Sequence, residues 1–153
     1  MEARNADGRT PLHVATNLNA ARALLDRGAG LESRDNNGNT PLHISCSEGK
    51  MDFVRLLLDQ GADLEATNNM GCGPLHFAAV AGCINAAQVL LDRRAVTDAT
   101  TLARTTPLFF ACQKGRVEMV WLLVRQYPWL IDGQTYSDAS NRNPNACHYS
   151  TAS

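Results

Sequence analysis

The sequence predicts an all-α solenoid, a row of stacked helix–turn–helix units with β-turn loops projecting from one side. Three observations predict it. A twelve-residue phrase is written four times: NADGRTPLHVAT (Asn5 to Thr16), DNNGNTPLHISC (Asp35 to Cys46), NNMGCGPLHFAA (Asn68 to Ala79) and TLARTTPLFFAC (Thr101 to Cys112). Aligned on the residue before its proline, the copies place Thr10, Thr40, Gly73 and Thr106 at separations of 30, 33 and 33 residues. Each copy is then followed by an apolar run with a shared ending: ARALLDRGAGLE, VRLLLDQGADLE, AQVLLDRRAVTD and VWLLVRQYPWLI. Self-similarity at such a period marks stacked repeats, in which each unit buries its apolar face against its neighbours.

The elements of one unit are read most fully in the second copy. Asn37-Gly38 is a tight-turn pair, because glycine accepts positive φ freely and asparagine often does. Thr40 follows as a helix N-cap, its hydroxyl able to accept a free backbone N–H. Pro41 stands at the first helical position, where a missing N–H costs nothing. His43 falls three residues after the cap, so its ring can reach back to the threonine as a capping-box Glu or Gln would. Leu42, Ser45 and Cys46 give a short first helix its small and apolar contacts, and Gly49 ends it. Met51, Phe53, Val54, Leu56, Leu57 and Leu58 mark a second helix, apolar around much of its girth and therefore buried between neighbours. Gly61 stands where a helix end wants positive φ.

The other copies depart from this pattern. The first is three residues short between Ala15 and Ala21, which predicts a tighter corner without its glycine. In the third, Gly73 replaces the cap threonine, a loss of about 1 kcal/mol or less. Arg94 stands there where Gly28 and Gly61 stand earlier; a non-glycine residue at positive φ costs about 1 kcal/mol, unless that helix ends differently. In the fourth, Arg104 replaces the turn glycine and Tyr127-Pro128 replaces Gly-Ala, so an irregular turn and exit are expected. Trp121 takes the place of Arg22, Arg55 and Gln88 on the second helix. It is expected either to pack with Trp129, Leu130 and Ile131 against the C-terminal segment, or to anchor a partner, as aromatic residues often do.

The TPLH signature, the period and the helix–turn–helix unit together resemble the ankyrin repeat. The resemblance covers residues 4 to about 130, with repeats at about 4–34, 35–66, 67–99 and 100–132. It gives an array over 1–132 and a tail over 133–153. The tail, rich in Ser and Asn, reads as disordered by default, yet NACHYSTA (Asn145 to Ala152) looks like a worn start to a fifth repeat. The chain is expected to be monomeric or part of a longer array. The resemblance implies that a partner protein is held on the concave side, by turn tips and first helices. Carried onto this sequence, the tip positions are Ala6, Asp7 and Arg9; Asn36, Asn37 and Asn39; Asn69, Met70 and Cys72; and Leu102, Ala103 and Thr105. The first helices add Ser47, Glu48, Val80, Ala81, Gln113 and Lys114. Along this row the character changes from charged to Asn-rich to apolar, and aligned exposed apolar residues are a better partner signal than scattered ones.

Composition excludes several other classes. Over 153 residues, 44% are apolar, enough for one domain's core, and the net charge of −1 gives no pull toward nucleic acid or anionic membrane. No apolar run reaches the length of a membrane span, and the polar N-terminus lacks the apolar core of a secretory signal. Cys46, Cys72, Cys83, Cys112 and Cys147 form no CxxC pair. They read as free thiols in a reducing compartment, cytoplasmic or nuclear. Cys46 and Cys112 are expected to be small buried hydrophobes, Cys72 and Cys83 more exposed. His13, His43 and His76 recur one per unit, about 10 Å apart, too far for one zinc ion that needs nitrogens at about 2 Å. They are expected to be structural, with no metal and no cofactor. No nucleophile elbow, P-loop or zinc-protease motif is present, so the expected function is protein binding without catalysis. The alternative is a substrate-targeting segment of a larger enzyme, ubiquitin-ligase adaptor or effector. Charge is uneven: residues 35–66 carry net −4 and residues 100–132 net +2, which would orient a partner of opposite polarity.

Overall fold

A computed structural model describes residues 3–126. Among these residues there are eight helices and no strand, in four successive pairs: α1 (Pro11–Val14) with α2 (Leu18–Asp26), α3 (Pro41–Ser47) with α4 (Met51–Asp59), α5 (Pro74–Ala81) with α6 (Ile84–Asp92), and α7 (Pro107–Gln113) with α8 (Val117–Val124). The first helices touch in one row (α1, α3, α5, α7) and the second helices in another (α2, α4, α6, α8). The core is correspondingly a ladder. Leu12, Leu42, Leu75 and Leu108 form one buried file and Leu57, Leu90 and Leu123 another, with Ala78, Ala79, Ala86 and Ala87 letting the helices approach closely. Each buried leucine contributes about 1.5–3 kcal/mol, and each does so only because a neighbouring unit covers it.

The recurring histidines tie one unit to the next. Thr10 N–H donates to His13 Nδ1 at 3.1 Å, and Thr40 and Gly73 do the same to His43 and His76 at 3.1 Å. Because Nδ1 accepts, the ring proton sits on Nε2. There it donates to a carbonyl of the following unit: Asn39 (3.0 Å), Cys72 (2.9 Å) and Thr105 (3.3 Å), respectively. Sequence reasoning found the reach back to the cap and missed the reach forward. In the first two units the threonine hydroxyl lies 2.9 Å from the imidazole Nδ1. Phe109 holds the histidine position of the fourth unit, and there the Thr106 hydroxyl accepts the Phe109 N–H at 3.2 Å.

A second set of ties runs from the corners. Lys50, Cys83 and Arg116 share one repeat position, just after the corner glycine. Each reaches back to the first helix of the preceding unit: Lys50 Nζ to the Ala15 carbonyl (3.3 Å), Cys83 Sγ to Ser47 (3.6 Å) and Arg116 Nε to Val80 (3.2 Å). In the shortened first unit α1 is a single turn, and Asn17 caps α2 by accepting the Ala20 N–H at 2.8 Å.

The irregular turn expected at Arg104 is corrected, while Arg94 takes the positive φ whose cost was expected. Arg94 and Arg104 adopt φ of 65° and 59°, so both keep the left-handed geometry of the glycines they replace. The fourth turn is regular: Arg104 N–H donates to the Thr101 carbonyl at 2.8 Å, as Gly8, Gly38 and Gly71 do in theirs. A Cβ at Gly8 or Gly38 would lie 2.3 Å from the next tip's Asn36 or Asn69 side chain, and one at Gly71 2.8 Å from the Leu102 nitrogen. Glycine is thus required there twice over, by φ and by the close approach of the next tip. No further tip follows Arg104 among the described residues, and only the φ cost remains. The exit at Tyr127-Pro128, the packing of Trp129, Leu130 and Ile131, and the expected tail or fifth repeat lie outside the described residues.

Candidate protein-binding face

The four turn tips are joined edge to edge by backbone bonds. Asn36 N–H donates to the Asp7 carbonyl (2.9 Å), Asn69 to Asn37 (3.0 Å) and Leu102 to Met70 (3.0 Å). Side chains add to the ladder: Asn36 Nδ2 donates to the Ala6 carbonyl at 3.0 Å and Asn69 Nδ2 to the Asn36 carbonyl at 3.3 Å. Arg4 Nη1 spans the Gly8 and Arg34 carbonyls, and Arg34 Nη1 the Gly38 and Thr67 carbonyls. Loops are usually the mobile part of a fold; here every tip is pinned to the next, so their side chains stand at fixed spacing.

Not all expected contact residues are available on this face. Asn39 is buried, its Nδ2 donating to Asp35 Oδ2 at 3.1 Å and its Oδ1 accepting from Asn68 Nδ2 at 2.9 Å, so it holds the turn together and offers nothing to a partner. Cys72, expected to be exposed, is buried, and its carbonyl is occupied by His43. Arg9 is half-buried and turned inward, its Nε 3.7 Å from Asp35 Oδ2. Burial opposes ionisation of Asp35, but the Asn39 and Asn37 N–H groups and the Asn39 amide outweigh it and hold the carboxyl below its usual range. Ser47 and Thr105 are half-buried, with hydroxyls engaged by the Ile44 carbonyl (2.8 Å) and the Thr101 hydroxyl (2.6 Å). The exposed remainder is Ala6, Asp7, Asn36, Asn37, Asn69, Met70, Glu48, Leu102, Ala103, Gln113 and Lys114, with Val80 and Ala81 half-buried. Glu48 is paired with Lys50 at 2.6 Å.

Met70 and Leu102 are 69% and 79% exposed, on adjacent tips joined by a backbone bond. Trp121 is also exposed, at 62%, but it lies on α8, a second helix, with exposed Val117 four residues before it. It belongs to a different surface from the tips. The negative charge assigned to residues 35–66 falls mostly elsewhere too. Asp35 is buried, and Asp52, Asp59, Asp63 and Glu65 sit on α4 or its exit. Sequence totals misplaced this charge because one repeat feeds two opposite surfaces.

The cysteines divide. Cys46, Cys72 and Cys83 are free, and burial pushes each thiol up, away from the reactive thiolate. Cys112, expected to be buried, is half-buried. No helix among the described residues is long and apolar enough to cross a membrane.

Stacked helical pairs with interlocked projecting tips define a helical-repeat protein. A family model for ankyrin repeats, in three copies, matches residues 17–101, more than half of the chain. The chain belongs to the ankyrin-repeat family, whose repeats are generally protein-interaction modules. A search of curated proteins finds no match.

Proposed function

We propose that this chain binds a partner protein along its turn tips and first helices and carries no chemistry of its own. The observation that carries this reading is the pair Met70 and Leu102, two large apolar side chains held out on neighbouring, mutually bonded tips. Exposing them costs solvation free energy that a partner would recover on covering them, at about 25 cal/mol per Å². Because the tips are already tied to one another, little ordering entropy opposes docking. The histidines support a non-catalytic role, since both ring nitrogens are engaged within the framework.

The test is affinity capture from native cells with the wild-type chain, a Met70→Glu/Leu102→Glu variant, and a second-helix control, Arg55→Glu. All three positions are exposed, so stability is expected to stay within about 0.5 kcal/mol. The reading expects captured proteins to be lost from the tip variant and retained by the control. Equal capture by wild type and tip variant, or loss only with the second-helix control, would remove the tips from consideration.

A further inference from the structure

The polarity of the tip face becomes one-sided in its C-terminal half. Residues 67–82, the third tip with α5, contain no charged side chain, and residues 100–116, the fourth tip with α7 and its corner, contain Arg104, Lys114 and Arg116 but no Asp or Glu. The nearby acids are on the other elements: Asp92 on α6, Glu118 on α8, and Asp98 in the connection before the fourth tip. Lys114 is exposed and makes no ion pair among the described residues. The Arg116 stem lies over Gly82, where a Cβ would come within 2.8 Å of its Cδ, and its Nε is bonded to the Val80 carbonyl. The guanidinium is thereby fixed beside half-buried Val80 and Ala81 while remaining exposed. So the face has an apolar end at the tips (Met70, Leu102) and a cationic end at the far side of the first helices.

We infer that the third and fourth repeats bind an extended protein segment that lays a large apolar side chain against Met70 and Leu102 and brings carboxylates to Lys114 and Arg116. The inference rests on the proposal that this face binds protein and adds the chemistry of what it binds. Desolvating the tips requires an apolar residue. The absence of any acid on these two tips and first helices leaves Lys114 and Arg116 to be met by the partner. A basic segment would place like charges together with no carboxylate on these tips and first helices to relieve them.

A displayed library of random dodecapeptides, selected on the immobilised chain, tests this without presupposing the partner. Enriched peptides are expected to combine Leu, Met or aromatic residues with several Asp or Glu. As synthetic peptides they should lose roughly tenfold or more in affinity for Leu102→Glu and for Lys114→Glu, and less for Lys114→Gln. Raising the salt from about 0.05 to about 0.5 M should weaken them several-fold. Enriched peptides that are neutral or basic but still sensitive to Leu102→Glu would overturn this inference and leave the protein-binding proposal standing. No enrichment, or enriched peptides indifferent to all three variants, would overturn both.

Discussion

Acidification from about pH 7 to about pH 5 should destabilise the fold through its histidines. His43 is fully buried, and burial lowers its pKa from 6.5 to about 4, outweighing the Cys72 carbonyl bond that works the other way. Burial likewise lowers His13 and His76, against the opposing bonds to the Asn39 and Thr105 carbonyls. The ring stays neutral in the fold, while the unfolded chain takes up a proton near the ordinary value of 6.5. Protons therefore favour the unfolded state. The stability is fully present above that value and is lost as the pH falls toward 4, at about 1.4 kcal/mol per pH unit for one histidine. For His43 alone the loss between about pH 7 and about pH 5 is ~2 kcal/mol, and the other two add to it. Asp35, with its pKa below the usual 3.8, loses its contribution only at lower pH, and Glu65, which burial pushes above 4.5, works in the opposite sense and is left in place by a histidine substitution. Urea unfolding followed by far-UV circular dichroism measures the effect. With an m value near 2 kcal/mol/M, the His43 share lowers the midpoint by about 1 M. In His43→Gln the pH slope should shrink by that share, whatever the variant's starting stability. A midpoint constant across the window, or a slope that His43→Gln leaves untouched, would refute the assignment of these rings as neutral inter-repeat ties.

Three substitutions probe the framework by thermal or urea unfolding. Arg94→Gly should stabilise by about 0.5–1 kcal/mol, because the exposed arginine sits at positive φ where glycine is unstrained; a loss of stability would show that the arginine makes a compensating contact. Gly38→Ala should destabilise by about 2 kcal/mol or more, since it adds strain at φ 78° to a Cβ only 2.3 Å from Asn69 Oδ1. A neutral result would mean the tips are not interlocked. Leu57→Ala should cost about 2–5 kcal/mol by opening a cavity between α4 and its neighbours, and a cost under about 1 kcal/mol would contradict the buried ladder.

Most of the framework was legible in the sequence because it is written in periodicity. The turn–cap–proline phrase placed every first helix, with histidine in three of the four copies, and the apolar runs placed every second one. What escaped was contact between copies. Nothing in TPLH says that the imidazole Nε2 reaches the next unit, and nothing in the scattered identities of Lys50, Cys83 and Arg116 says that they make one recurring tie. That signal lay in their shared position, not in their residue types. Arg104 misled because its type argued against a regular turn, whereas the bonds around the turn override a local cost of about 1 kcal/mol. Asn39 misled in the opposite way: polar, at a tip, and consumed by Asp35 and Asn68. The apolar pair Met70 and Leu102 on adjacent tips was visible in advance, and the structure adds that both are exposed and that the Leu102 N–H is bonded to the Met70 carbonyl.

The central claim is that stacking makes the tips a rigid platform, and native-state hydrogen exchange at the Asn36, Asn69 and Leu102 amides tests it most directly. Each of these N–H groups belongs to a projecting loop yet donates to the preceding tip at 2.9–3.0 Å. The account predicts slow exchange at all three, approaching that of amides within α3 and α5. Exchange as fast as in an unstructured peptide would mean that the tips move independently and that no preformed face exists.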